Sequence, residues 1–180
     1  TGDINRNVIV NVHVEAANIN DVTPMPEILY EVERRLGKLP KYMGLDAGYH
    51  NAWIAHLLET KGIQGVIGYR RHTHKGAHYG KYRFRYDPVR DEYICPEKQR
   101  LTWKTTTREG YRQYCSEGKT CRGCPRRGEC FGASMNRKVV ERHVWQEALE
   151  RVDAFTKTHR GKQIYGWRKE TIERTFAEAK

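Results

Sequence analysis

Four side chains that could take part in catalysis or binding lie in the last twenty residues, Gly161 to Lys180, GKQIYGWRKETIERTFAEAK. Lys, Arg, Glu and Ala dominate this stretch and no Pro interrupts it, which predicts a helix. At about 100° per residue, Ile172 and Phe176 form an apolar stripe. The stripe is flanked by a phenol, a guanidinium, a carboxylate and an ammonium, from Tyr165, Arg168, Glu173 and Lys180. Charges beside a buried stripe need partners or a bound ion. Taken alone, however, the pattern favours an amphipathic surface helix.

A second carboxylate, Asp46, ends the short apolar run Lys41 to Asp46, KYMGLD. Strand and helix patterns alternate around it: a strand at Val8 to Glu15, a helix capped by Thr23 and ending at Leu36, the run itself, a helix from Asn51 to Lys61, and a strand at Ile63 to Tyr69. This order predicts a parallel sheet with right-handed crossovers. Asp46 then lies at the carboxyl end of a strand, where such sheets place ligand sites. Capping the next turn is the commoner role for an isolated Asp.

All five Cys lie between Cys95 and Cys130. Cys121 and Cys124 have the spacing of a metal-binding knuckle, Cys130 follows, and either Cys95 or Cys115 could complete a tetrahedral set. The segment from Arg70 to Asn136 has few large aliphatic residues, so a structural zinc could supply stability that burial does not. Free thiols and an iron–sulfur cluster are the alternatives that rank below zinc.

Charge is distributed unevenly along the chain, which has a formal net charge of +11. Residues through Gly68 carry six Lys and Arg against eight Asp and Glu, whereas from Tyr69 onward there are 27 against 14. A basic half of this kind indicates a polyanionic partner, most simply nucleic acid. A solvated basic surface is the alternative.

The remaining segments are less regular. Arg70 to Lys81 is predicted to be a basic loop rich in His, and Tyr82 to Arg85 and Asp91 to Cys95 to be short strands. Leu101 to Thr106 and Tyr111 to Cys115 are predicted to form a hairpin, and Asn136 to Thr158 a long amphipathic helix that ends at His159 to Gly161. No apolar run approaches the roughly 18 residues that a membrane-spanning helix needs, which favours the cytoplasm.

Two stretches in this order resemble bacterial insertion-sequence transposases with a DDE active site. Tyr42 to Tyr49, YMGLDAGY, resembles the motif around their second catalytic Asp. Tyr165, Arg168, Glu173 and Lys180 resemble their Y-R-E-K signature, and the Cys spacing resembles a subgroup with a Cys-rich insert. In that subgroup a Gly usually follows Cys-Pro-x, whereas this chain has Lys98.

The resemblance implies a ribonuclease-H-like α/β fold with a mixed sheet and flanking helices, interrupted by a small zinc-ribbon-like β insert. Residues 1–69 would be the first part of the core, 70–136 the insert, and 137–180 the core helices. It also implies a transposase that cuts and rejoins DNA at transposon ends and target, with a homodimer in the synaptic complex and association with the nucleoid.

The same resemblance implies the site residues. Asp46 and Glu173 would bind two Mg²⁺ or Mn²⁺ ions, Tyr165, Arg168 and Lys180 would bind DNA, and Cys95 would be the fourth zinc ligand. The first catalytic Asp has no clear counterpart: Asp3 precedes the first predicted strand, and Asp21 lies in a turn. We therefore expect a C-terminal fragment that is inactive alone. An inactive transposase remnant or a zinc-stabilised DNA-binding module is the alternative.

Overall fold

The computed structural model describes residues 2–3, 8–14, 16, 20, 22–69 and 76–178, and the side chains of these residues except 2, 3, 8 and 172–178. The chain divides into two compact units. The first unit comprises Thr1–Arg71 and Trp145–Lys180, and the second comprises His72–Val144.

The first unit combines short strands with four longer helices. Its elements are β1 (Gly2–Asp3), β2 (Val8–Ile9), α1 (Met25–Leu36), β3 (Tyr42–Leu45), a 3-10 turn (Ala47–Tyr49), α2 (Ala52–Thr60), β4 (Gln64–Ile67), α5 (Gln146–Lys157) and α6 (His159–Glu178). Strands β3 and β4 are parallel, with Tyr42 opposite Gln64 and Leu45 opposite Ile67. The predicted parallel strand–helix–strand arrangement is therefore confirmed for β3, α2 and β4.

Local sequence explains where these helices begin and end. Gly37 adopts φ 69° and ends α1, as the sequence predicts. Pro24 rather than Thr23 occupies the N-cap position of α1, and no side chain caps it. The Asn51 side chain accepts a hydrogen bond of 2.8 Å from the Ile54 amide and so caps α2. Thr158 separates α5 from α6, and its hydroxyl accepts a 3.1 Å hydrogen bond from the Gly161 amide.

An aliphatic core holds the first unit together. Helix α5 packs against α2 and β4, and α6 packs against β3 and β4. The most buried members of the core are Leu29, Ile54, Leu58 and Ile67. The two helices that follow the second unit in sequence therefore cover the parallel strand pair.

The predicted strand at Val8 to Glu15 is wrong for most of its length. Only Val8–Ile9 is a strand, and it pairs antiparallel with Gly2–Asp3. Residues 10–14 have no regular structure, and Glu15 lies outside the described residues. Val12 is 70% and Val14 85% exposed, so the alternating valines form no buried face here. Asp3, expected to precede the first strand, lies on β1 itself.

The second unit is built on an antiparallel sheet of five strands. The strands are β5 (Arg85–Asp87), β6 (Glu92–Ile94), β7 (Arg100–Thr106), β8 (Tyr111–Ser116) and β9 (Val139–His143), in that spatial order. The hairpin of β7 and β8 is confirmed, with a register shift between Trp103 and Thr105. Two short helices, α3 (Gly118–Arg122) and α4 (Arg127–Cys130), lie between β8 and β9 in sequence.

Two other predictions for this region need correction. Asn136 to Thr158 is not one helix, because Val139–His143 pairs with β8 and places Val140 opposite Tyr114. The β-branched Val139 and Val140 fit a pleated strand, and the helix begins only at Gln146. Of the predicted strand at Tyr82 to Arg85, only Arg85 is in a strand, since Lys81–Arg83 forms a 3-10 turn. The first six residues of the predicted basic loop, Arg70 to Lys75, lie outside the described residues.

The second unit has a hydrophobic core of its own, contrary to the expectation from its few aliphatic residues. Aromatic rings supply much of it, together with two aliphatic side chains: Phe84, Tyr93, Leu101, Tyr114 and Val140. The chain is thus of the α/β class, with an antiparallel sheet in one unit and a parallel strand pair in the other. Among the helices described, none is long and apolar enough to cross a membrane.

Candidate active site and thiol pocket

Asp46 follows the last residue of β3, as the sequence predicts. Its Oδ1 accepts a hydrogen bond of 2.8 Å from the Gly48 amide, and it thereby caps the 3-10 turn. The side chain is 52% exposed, and Oδ2 faces Arg168. Asp46 therefore caps the turn with one oxygen, and its other oxygen lies near the Arg168 guanidinium.

Arg168 of α6 lies beside this carboxylate. Its NH2 is 3.6 Å from Asp46 Oδ2, which is within ion-pair range but longer than a hydrogen bond. The Arg168 side chain is only 18% exposed. Its Nε is buried and has no hydrogen-bond partner among the described residues. The guanidinium thus keeps donor capacity for an anion.

Tyr165 completes the group at the carboxyl ends of β3 and β4. Its ring centroid lies 5.9 Å from the Arg168 guanidinium carbon. Its hydroxyl lies so close to Gly68 that a Cβ there would be 2.5 Å from the oxygen. Arg168 of α6 therefore lies beside both Tyr165, on the same helix, and Asp46, which follows β3 and is far away in sequence.

Glu173 and Lys180 are less completely described. The backbone of Glu173 belongs to α6, five residues beyond Arg168, and its side chain is not among those described. Lys180 lies outside the described residues, as do the side chains of Ile172 and Phe176. The structure thus places the helix that carries Glu173 against the strand that carries Asp46.

A partly buried hydrogen bond near this site escaped the sequence analysis. His50 Nε2 lies 2.7 Å from Asp153 Oδ1, and the His50 side chain is 7% exposed. The pair joins the segment after the 3-10 turn to α5. Asp153 directly follows Val152 of the apolar face of α5. A carboxylate beside an apolar face needs a partner, and that signal could have led to this pair.

A second candidate site is a pocket in the second unit that is lined by four thiols. They are Cys95, Cys121, Cys124 and Cys130. Leu101 also lines the pocket, and Leu101 lies opposite Ser116 in the sheet, while Cys115 lies opposite Thr102. Because successive residues of a strand face opposite sides, Cys115 faces away from the pocket. Of the two candidates for the fourth thiol, Cys95 therefore lines the pocket with the other three and Cys115 does not.

Hydrogen bonds hold two of these thiols. The Gln99 amide donates to Cys95 Sγ at 3.3 Å, and Cys121 Sγ donates to Ser116 Oγ at 3.0 Å. Lys98, which stands where the resembling subgroup usually has Gly, adopts the left-handed φ of 58°. The turn thus has the backbone shape that favours glycine, although the residue is lysine.

The environment of Cys130 combines burial with nearby charge. Burial raises the pKa of this thiol, the Lys138 ammonium opposes the rise, and the other three thiols of the pocket add to it. Lys138 Nζ donates to the Cys130 carbonyl at 3.1 Å. Within the described residues no three His, Cys, Asp or Glu side chains are arranged to hold a metal ion. The four thiols thus line one pocket, but their side chains are not arranged as a set of metal ligands.

Comparison with known proteins bears on the C-terminal part of the chain. Residues 94–180 match the family model of the transposase DDE domain. This match supports a DDE transposase, a class of enzyme that acts on DNA. Domains of this family generally use divalent metal ions as cofactors. The matched range includes the helix with Glu173 and all five Cys, whereas Asp46 lies outside it. No curated protein and no solved structure matched the chain.

Proposed function

We propose that the chain is the catalytic part of a DDE transposase that cuts DNA and joins strands during transposition of an insertion sequence. The observation that supports this most strongly is the contact of Asp46 with Arg168 of α6, the helix that also carries Tyr165 and Glu173. The match of residues 94–180 to the transposase DDE domain supports the same conclusion. A ribonuclease-H-like arrangement of the first unit is part of this proposal.

The donor set suits hard divalent cations. Carboxylate oxygens from separate elements are the ligands that Mg²⁺ and Mn²⁺ prefer. Asp46 Oδ2 lies in an exposed side chain and is beyond hydrogen-bond distance of Arg168, so it is open to a cation. When bound, two such ions activate water or a 3′-hydroxyl and stabilise the leaving oxygen. Asp46 and Glu173 would hold them, and Gly48 fixes the orientation of Asp46.

The basic and phenolic side chains would act on the DNA backbone. Arg168 would bind a phosphate through its guanidinium, and Lys180 would bind another. Tyr165 would pack against the backbone beside them. These roles fit the basic character of the chain from Tyr69 onward, because phosphate contacts dominate DNA affinity. A homodimer on paired DNA ends and a cytoplasmic, nucleoid-associated location belong to the same proposal.

The test is metal-dependent cleavage and strand transfer on transposon-end DNA by the full-length protein with Mn²⁺. Asp46→Ala and Glu173→Gln should each abolish activity, whereas Glu59→Gln, which removes a surface ion pair with Arg151, should not. Activity that survives both site substitutions would rule out this assignment. A full-length protein that binds DNA but cleaves none would favour the inactive remnant or the DNA-binding module.

We also propose that Cys95, Cys121, Cys124 and Cys130 bind a structural zinc ion. The shared pocket, the left-handed turn after Cys95 and the spacing of Cys121 and Cys124 support this proposal. The thiol side chains would rotate together on binding, because tetrahedral zinc needs sulfur ligands at about 2.3 Å. The role would be to fasten the α3 and α4 segments to the sheet.

Metal analysis of the purified chain tests the zinc proposal. Zinc should be present in a one-to-one ratio and should be lost in Cys124→Ser. Cys115→Ala is the matched control, since Cys115 is on the other side of the sheet and should keep the metal. Wild-type protein that takes up no zinc from zinc-containing buffer would refute the proposal.

A further inference from the structure

Helix α6 approaches the parallel strands closely at two glycines, Gly44 and Gly68, where an added Cβ would be crowded. A Cβ built on Gly68 would lie 2.5 Å from the Tyr165 hydroxyl oxygen and 3.1 Å from the Ala47 amide nitrogen. A Cβ on Gly44 would lie 3.1 Å from the Cβ of Arg168. Distances under 3 Å require a neighbour to move. The backbone at Gly44 of β3 therefore packs against Arg168, and the backbone at Gly68, directly after β4, packs against Tyr165.

A third glycine fixes the start of the same helix. A Cβ on Gly161 would lie 2.2 Å from the Phe155 carbonyl oxygen and 2.8 Å from the Thr156 Cα. Both atoms belong to the backbone of α5, which cannot swing aside as a side chain can. Gly161 thus sets the corner between α5 and α6, and Gly68 and Gly44 set how closely α6 approaches the strands.

The position of Glu173 follows from these contacts. A helix rises about 1.5 Å per residue, so Glu173 lies roughly 7.5 Å along the axis beyond Arg168. Between these residues α6 is continuous, because it runs from His159 to Glu178. Any displacement of the helix at Tyr165 or Arg168 is therefore passed to Glu173, while Asp46 stays with β3.

We infer that Gly68 and Gly44 are positioning residues of the active site, which set the separation between Asp46 and Glu173 through the close approach of α6. This inference rests on the proposed function. It goes beyond it by assigning a role to two glycines, neither of which can bind a metal or DNA through a side chain. Of the two glycines, Gly68 has the closer contact, so its substitution should change the separation of Asp46 and Glu173 more than substitution of Gly44 does.

The experiment compares Gly68→Ala and Gly44→Ala with Gly166→Ala in the full-length protein. Gly166 lies on α6 itself, and a Cβ there would meet nothing within 4 Å, so it is the matched control. Gly68→Ala should lower the Mn²⁺-dependent cleavage rate by about 100-fold with little change in the KM for DNA, as expected for misplacement by about 1 Å. Gly166→Ala should keep the wild-type rate.

Two further measurements separate positioning from general damage and from failure of the proposed function. Hydrogen exchange of the amides from His159 to Thr171 should quicken in Gly68→Ala, and adding Tyr165→Phe should partly restore slow exchange, because it removes the hydroxyl that the new methyl group meets. This measurement needs no activity. If Gly68→Ala prevents folding, Gly44→Ala takes its place, with Arg168→Gly as the relieving change, because it removes the Cβ that the new methyl group meets.

The outcomes decide the inference. Loss of rate together with faster exchange in α6 supports it. Wild-type rate and wild-type exchange in both glycine variants overturn it. If the full-length protein cleaves no DNA, the proposed function fails, and the exchange result alone shows whether the glycines set the position of α6.

Discussion

The two units differ in which residues take left-handed backbone conformations. In the first unit Gly37 and Gly62 do so, with φ of 69° and 68°, and both follow the end of a helix. In the second unit Gly110 does so with φ of 81°, and so do two non-glycine residues, Asp91 and Lys98, with φ of 49° and 58°. Non-glycine residues in this region cost roughly 1–2 kcal/mol, and among the described residues both of them lie in the second unit.

The strained residues of the second unit lie where side chains matter. Asp91 accepts hydrogen bonds of 2.7 Å from the Tyr86 hydroxyl and 2.5 Å from the Tyr114 hydroxyl. Lys98 lies in the turn after Cys95. The comparison teaches that the left-handed residues described in the first unit are glycines that follow helices, whereas the second unit adds two strained non-glycine residues beside a hydrogen-bonded carboxylate and a thiol.

The cores differ in a related way. The first unit buries aliphatic side chains, which need no polar partner, whereas the second buries Tyr93 and Tyr114. A buried tyrosine needs a partner for its hydroxyl, and Asp91 serves Tyr114 in this way. Burial raises the pKa of Tyr114, and the hydrogen bond to Asp91 raises it further, so the phenol stays protonated.

The largest effect is expected from removing the aromatic core. Tyr114→Ala should lower the free energy of unfolding of the second unit by about 3–5 kcal/mol, because the side chain is fully buried. Tyr111→Ala, on the same strand but 42% exposed, is the control and should cost far less. Urea unfolding measures both. Equal losses for the two variants would show that the aromatic cluster is not the core of this unit.

A smaller effect is expected from Asp91→Asn. The substitution should lower the free energy of unfolding by about 1–3 kcal/mol, the usual penalty when buried hydrogen-bonding groups lose a charged partner. The effect should depend on pH. Burial alone would raise the pKa of Asp91, but hydrogen bonds from Tyr114 and Tyr86 and the charges of Arg112 and Arg142 lower it below its ordinary value.

The sign of this pH dependence follows from that shift. A carboxyl whose folded pKa is lowered stabilises the fold above its unfolded pKa, about 3.9, and loses that contribution as pH falls through the folded pKa. The wild type should therefore exceed Asp91→Asn in stability at pH 7 and approach it below about pH 4. A difference that is constant from pH 7 to pH 3 would contradict the network.

The smallest effects are expected at the left-handed residues themselves. Lys98→Gly should raise the free energy of unfolding by up to about 1 kcal/mol, since glycine adopts φ of 58° without strain. Gly37→Ala should lower it by about 1 kcal/mol for the converse reason. Thermal unfolding of both variants provides the measurement. A higher free energy of unfolding in Gly37→Ala, or a lower one in Lys98→Gly, would contradict this contrast in backbone strain between the units.

The sequence predicted the region around Asp46 well because its signals are local. The end of α1 before Gly37, the start of the next helix near Asn51 and the apolar runs beside Asp46 each depend on neighbouring residues. Val139–His143 was mistaken for helix because its apolar residues fit either period, and pairing with β8 decides the outcome. The strand expected at Val8 to Glu15 failed because alternation alone does not supply a pairing partner.

The site itself could be predicted only in part. Asp46, Arg168 and Tyr165 were singled out through the resemblance to DDE transposases, and the structure places Arg168 beside each of the other two. The His50–Asp153 pair and the contacts of Gly44 and Gly68 depend on distances between segments that are far apart in sequence. No local pattern carries that information, so these contacts could not be predicted from the sequence.

The central claim is that Asp46 and Glu173 hold the same divalent metal ions. Titration with Mn²⁺, followed by the electron paramagnetic resonance of the free ion, tests it most directly. Asp46→Asn and Glu173→Gln should each weaken Mn²⁺ binding by about tenfold or more, since each removes a charged ligand. The double variant should lose little more, and Asp153→Asn, whose carboxylate pairs with His50, should bind as the wild type does. Wild-type Mn²⁺ affinity in both single variants would contradict the claim.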